Sequence, residues 1–138
     1  MRSPTRSMPM TGKAVLLDTN IVVSHFRDKG VFDQLFTENE LYLPQVALAK
    51  LYAGAAKSDR PEHHRKLIAA FLPSVTVLAS DQDTAKLYGD LWAHLSKAGT
   101  MIPQNDIWIA GLAVQYLLLL VSQDEHFELI DNLDLLSW

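Results

Sequence analysis

The sequence predicts an α/β fold in which a mainly parallel sheet carries helices on both faces. Three observations lead there. Short, wholly apolar runs such as Ala14 to Leu17 and Leu118 to Val121 suit strands that are covered on both sides rather than on one. Helical periodicity fills the intervals between these runs, and strands joined by helical crossovers pair in parallel. The chain has 138 residues, 49% of them hydrophobic and 20% charged. That length lets one core bury about two thirds of the unfolded surface.

The elements follow in order. Ala14 to Leu17 is the first strand, bounded by Lys13 and Asp18. Ile21, Val22, Val23 and Phe26 predict a short helix, and a second is expected around Val31 to Phe36. Leu41 to Leu43 is the second strand, with Pro44 at its exit. Val46 to Ala56 is rich in Ala, Leu and Lys and reads as a helix, with Gly54 near its end. The polar break Ser58 to Pro61 leads into another helix, Glu62 to Phe71. The third strand is Val75 to Leu78, followed by Asp81 or Asp83 as an N-cap. Ala85, Tyr88, Trp92 and Leu95 recur at three- and four-residue intervals, which predicts an amphipathic helix closed by Gly99. Pro103, Asn105 and Asp106 open a helix that continues to about Tyr116. Leu118 to Val121 is the fourth strand and Leu133 to Leu136 the fifth. There is no internal repeat and no low-complexity tract.

Composition removes several function classes. Twelve basic against sixteen acidic residues leave a net charge of -4, so nucleic acid is not held by a broadly basic surface. Any nucleic acid must be gripped locally. The chain has no cysteine, which excludes disulfides and thiolate metal sites and fits a reducing cytoplasm. A metal would need carboxylates or imidazoles. The longest apolar stretch, Ile107 to Val121, is broken by Gly111 and Gln115 and falls short of the roughly 20 residues of a membrane span. The opening residues 1–12 lack an apolar signal region and are expected to be a disordered leader to a single domain, 13–138.

In an open parallel sheet, ligands collect beyond the carboxyl ends of the strands. Asp18 directly follows the first strand, Asp124 follows the fourth by two residues, and Asp106 stands at the start of a helix. Three carboxylates converging on one rim would form a hard oxygen site suited to magnesium or manganese. Each acid also has a plainer reading. Asn105 or Asp106 alone reads first as a helix cap, Asp18 with Thr19 and Asn20 as a turn, and Asp124 as a loop residue.

The surrounding words decide between these readings. LLDTNIVVSHF, IPQNDIWIAGLA and LLVSQDEHFELI resemble, in order, the signature segments of VapC-type PIN domains, the ribonuclease toxins of bacterial toxin/antitoxin pairs. LYLPQVALAKLYAGAAKS resembles the segment between the first two. The likeness runs from Val15 to Trp138. It implies a three-layer α/β/α sandwich, and a nuclease that cleaves RNA with a divalent ion, Mg2+ or Mn2+, and a metal-activated water. It also implies a cognate antitoxin and a homodimer as partners. Carried over residue by residue, it assigns metal binding and catalysis to Asp18, Asp106 and Asp124, with Thr19, Asn20, Asn105 and Ser122 in support.

One position departs from the pattern. Where the family carries a glutamate before the Leu-Tyr pair of the second segment, this chain has Lys50. Like charges about 5 Å apart repel by roughly 3 kcal/mol at an effective dielectric near 20, so clustered aspartates need a cation or must take up protons. Lys50 either supplies that cation or turns to solvent and leaves a three-carboxylate site. The alternative function is therefore a weakened or inactive PIN domain that binds RNA or antitoxin without cutting. His126, near Asp124, is placed to act as a general base but reads first as a packing and hydrogen-bonding residue, paired with Phe127 after the loop. His63 and His64 fall on a solvated helix face, and Trp92 and Trp108 in the core or a dimer interface.

Overall fold

The computed structural model describes residues 12–28 and 30–138. Five parallel strands, β1 (Ala14–Leu17), β2 (Glu40–Pro44), β3 (Thr76–Leu78), β4 (Leu119–Ser122) and β5 (Leu135–Ser137), form one sheet in the order β3-β2-β1-β4-β5. Six helices connect them: α1 (Thr19–Arg27), α2 (Asp33–Glu38), α3 (Gln45–Lys57), α4 (Pro61–Phe71), α5 (Gln82–Ala98) and α6 (Gln104–Gln115). The expected class, a mainly parallel sheet between helical layers, is the one observed.

The apolar runs have a direct cause. Along β1, Val15 and Leu17 enter a core with Ile21, Leu43, Ala47, Leu51, Ile68 and Phe71, on the side of α1 to α4. Leu16 points the other way, into a core with Leu95, Ile107, Ile109, Leu112 and Phe127, on the side of α5 and α6. Successive side chains of a strand face opposite ways, so a strand between two cores must be apolar at every position. Strand β4 repeats the pattern, Val121 joining the first core and Leu120 the second.

Differences from the sequence reading lie at the edges. Helix α2 starts at Asp33 rather than near Val31, and β5 starts at Leu135 because Leu133, although buried, lies before the paired residues. Two 3-10 turns, Leu72–Ser74 and Glu125–Leu129, were not expected. Of the two candidate caps for α5, Asp81 is used. Its carboxylate accepts from the N–H groups of Asp83 and Thr84, and the Thr84 hydroxyl accepts from the N–H of Asp81 to complete a capping box. Gly99 ends α5 with φ 72°, the left-handed conformation that glycine adopts without strain.

The expected leader falls mostly on residues 1–11, outside the described residues, while Gly12 is tied down by an N–H bond to the carbonyl of Glu38, 2.7 Å. Among the described residues no helix is long and apolar enough to cross a membrane.

Candidate metal centre

The two central strands, β1 and β4, pair with Leu17 opposite Val121. Their ends therefore stand side by side, and the next residue of each carries the first polar groups of the site. Asp18 donates its N–H to the carbonyl of Val121, 3.1 Å, which extends the ladder by one bond. The residue as a whole is only 4% exposed. Oδ1 accepts from the N–H of Thr19 at 2.8 Å and caps α1, while Oδ2 accepts from the Ser122 hydroxyl at 2.7 Å. Ser122 Oγ accepts in turn from the N–H of Asp124, 2.9 Å. One buried hydroxyl thus joins two of the three acids.

Asp106 reaches the same place from the opposite layer. Pro103, not Asp106, precedes the first turn of α6, and no side chain caps that helix. Asp106 lies in the first turn, 4% exposed. The plain reading of Asp106 as an N-cap is therefore incorrect: Pro103 starts the helix earlier, and Asp106 is swung inward beside buried Ile107. Asp124 does cap, its Oδ1 accepting from the N–H of His126 at 2.9 Å at the start of the 3-10 turn.

His126 is the residue that sequence reasoning undervalued. Its Nδ1 lies 2.9 Å from Asp124 Oδ1 and 3.4 Å from Asp106 Oδ2, so one ring nitrogen spans both acids. Hydrogen bonding was expected of it, but packing was not found, since its side chain is 48% exposed. Ligand atoms of Asp106, Asp124 and His126 all lie within 4.8 Å of one another. Asp18 stands beside that trio, coupled to Asp106 and Asp124 by charge. The signal available in the sequence was spacing: a residue two positions after a capping aspartate is returned toward it.

The electrostatics describe a crowded anionic pocket. Burial, then Asp124 and Asp18, push the Asp106 carboxyl up from 3.8 to about 6. Asp18 is also raised, by burial first, against the hydrogen bonds from Ser122 and Thr19 and the charge of Lys50. Lys50 is exposed on α3, and its charge acts on Asp18 and Asp106 without an ion pair to either. It thus faces water while still biasing the site. Among the supporting residues, Thr19 carries a buried hydroxyl with no hydrogen-bond partner. Asn20 Oδ1 accepts weakly from the N–H of Gln123 at 3.4 Å, and Asn105 is exposed. Buried carboxylates that raise one another's proton affinity, beside an orphaned hydroxyl, fit a hard divalent cation.

The carboxyl shifts fix a pH dependence. A folded-state pKa above the unfolded value means that the fold retains a proton the unfolded chain has lost, so stability falls as pH rises between 3.8 and about 6 and the loss is complete above it. In chelator, the protein is expected to melt at a higher temperature at pH 5 than at pH 7.5. Thermal denaturation across that range checks this, and a maximum near neutrality would contradict it.

The family model for the PIN domain matches residues 15–133. Ribonuclease VapC2 of Haemophilus influenzae is 35% identical over 127 residues, covering 89% of this chain and 96% of that protein. The tRNA(fMet)-specific endonuclease VapC of Shigella flexneri is 29% identical, with 89% and 96% covered. The solved structure of VapBC2 from Rickettsia felis bound to a promoter DNA fragment superposes with a TM-score of 0.83 at 27% identity, covering 91% of this chain and 98% of that one. A family model over residues 15–133, relatives aligned over nearly the whole chain and a matching overall fold lead to one assignment: the chain belongs to the PIN domain family, among the VapC ribonucleases.

Proposed function

We propose that the protein is a Mg2+- or Mn2+-dependent endoribonuclease, the toxin of a toxin/antitoxin pair acting on RNA in the cytoplasm. The observation that supports this best is the convergence of buried Asp18 and Asp106 with Asp124 at the carboxyl ends of the central strands, in a chain whose relatives are named ribonucleases. The binding-module alternative gains nothing from those names.

Asp18, Asp106 and Asp124 would hold the ion. When bound, it supplies a more acidic water and neutralises charge growing on the phosphate. The rest falls to the chain. Ser122 fixes the Asp18 carboxylate and the backbone of Asp124 together, which keeps two acids in register as charge accumulates. The His126 Nδ1 stands 2.9 Å from Asp124 and 3.4 Å from Asp106, which keeps a half-exposed imidazole against two of the acids that would hold the ion. The decisive experiment is cleavage of bulk tRNA with manganese, against chelator and against Asp106→Asn. Intact tRNA in all three would remove the reading.

The antitoxin is assigned to the groove between α1, α3 and α4, about 340 Å3, where half-buried Val23, Phe26 and Leu67 lie over buried Leu51 and Ile68. Lys50 at its edge competes with any cation that a partner inserts toward the acids. Homodimerisation is assigned to α5, where Trp92 is 48% exposed beside half-buried Leu91. Trp108 turns inward instead and stacks on Tyr88, ring centres 4.5 Å apart. Light scattering is expected to give twice the monomer mass at micromolar concentration, and Trp92→Lys to shift it toward the monomer.

A further inference from the structure

Beside the acid rim lies a second cleft, of about 280 Å3, lined by Ser24, Arg27 and Asp28 at the end of α1, by Val31 and Phe32, and by Gln123 and Trp138. Trp138 is held in place by its N–H bond to the Ser122 carbonyl, 2.9 Å, and by ring contact with buried Phe32 at 4.7 Å. It nevertheless remains 47% exposed. An indole braced on one side and open on the other is a stacking platform. Gln123 joins this cleft to the rim, since it stands between Ser122 and Asp124 in the chain. Its Oε1 accepts from the Ser24 hydroxyl at 3.2 Å, which aims the side-chain amide and leaves its N–H groups to donate elsewhere.

We propose that this cleft is a nucleotide subsite, in which one unpaired base of a single-stranded RNA stacks on Trp138 while Arg27 takes a phosphate flanking the one that is cut. The proposal rests on the ribonuclease reading. Three observations commit the cleft to this occupant. It adjoins the acids where phosphate chemistry would occur, through a single residue. It combines an open aromatic face with a cation and an amide, the groups that grip unstacked RNA. Its volume lies just below the usual range for small-ligand pockets, which suits one base and excludes a partner helix. Asp28 and Gln123 are placed to accept from and donate to the polar edge of that base. A chain with a net charge of -4 must hold RNA locally, and Arg27 provides a local cation.

The test measures binding by fluorescence anisotropy of a labelled 12-nucleotide single-stranded RNA of mixed sequence, in an Asp106→Asn background that prevents cutting. Trp138→Ala is expected to weaken binding roughly tenfold and Trp138→Phe much less, because a phenyl ring still stacks. Arg27→Gln is expected to weaken binding and to lower the salt slope by about one. Arg27 is exposed, so this variant keeps the test alive should Trp138→Ala unfold. Unchanged affinity in Trp138→Phe, Trp138→Ala and Arg27→Gln alike, or no binding of the 12-mer at all, overturns the subsite, and the former result is the one expected if the cleft seats a protein instead. Manganese-dependent tRNA cleavage by the parent separates the two failures: with cleavage the ribonuclease reading stands alone, and without it both fall.

Discussion

Asp106→Asn is expected to lower RNA cleavage by roughly a thousandfold while raising the melting temperature of the metal-free protein. The two effects share one cause. Asp106 is 4% exposed and meets two other acids, which lift its carboxyl to about 6. At pH 7.5 the fold therefore carries an ionised group it disfavours, by about 3 kcal/mol relative to the unfolded chain. Asparagine keeps the shape and removes the charge. Some of the gain is returned, because a carboxylate in the first turn of α6 is favoured by the helix dipole and His126 loses one of the two carboxylates beside its ring nitrogen. A rise of about 5 °C is the expected balance. Activity and melting temperature are measured on the same preparations. A fall in both would make Asp106 a structural residue and withdraw it from the site.

Lys50→Glu is expected to act oppositely, strengthening Mn2+ binding by roughly ten- to a hundredfold and increasing cleavage with it. The charge of Lys50 already reaches Asp18 and Asp106 across solvent, so reversing it changes the local field by two units without disturbing a packed contact. Magnesium and manganese take hard oxygen ligands, and each added carboxylate is a large share of the protein's part of that shell. The opposing effect is repulsion in the metal-free state, since four acids then crowd one rim. The variant is expected to melt lower than the parent in chelator and to gain more from manganese. Calorimetric titration with Mn2+ beside melting curves with and without the ion decides it. An equal response in both proteins would show that solvent screens Lys50 completely.

Much of this was legible in the sequence, for a definite reason. Strands β1 and β4 are apolar at every position because each lies between two cores, and that double burial leaves a pattern no single-sided strand has. Edge strand β3 carries exposed Thr76 and Val77 and was read from β-branching alone. Asp18 and Asp124 were placed by their distance from the strands. Asp106 was harder. Its inward turn depends on Pro103 starting α6 three residues earlier, and α6 is buried nearly all round, so periodicity gives no facing direction. The 3-10 turn that carries His126 was missed because five residues rich in charge show no apolar period, and without the turn the contact of His126 with both acids had no local sign. The contacts of Trp138 with Phe32 and of Gln123 with Ser24 join residues about a hundred positions apart, which no local pattern records.

The ladder bond from Asp18 to Val121 gives the site two unequal jaws. Asp18 and Ser122 belong to the paired strands at the middle of the sheet and can move only if that sheet is disturbed. Asp106 rides on the first turn of a helix, and Asp124 with His126 opens a short 3-10 turn at the surface, where small rotations leave the cores intact. A vice with one jaw bolted down adjusts by travel of the other alone. Ions of different radius would therefore be accommodated on the Asp106 and Asp124 side, and the position of Asp18 would serve as the fixed reference against which substrate is aligned.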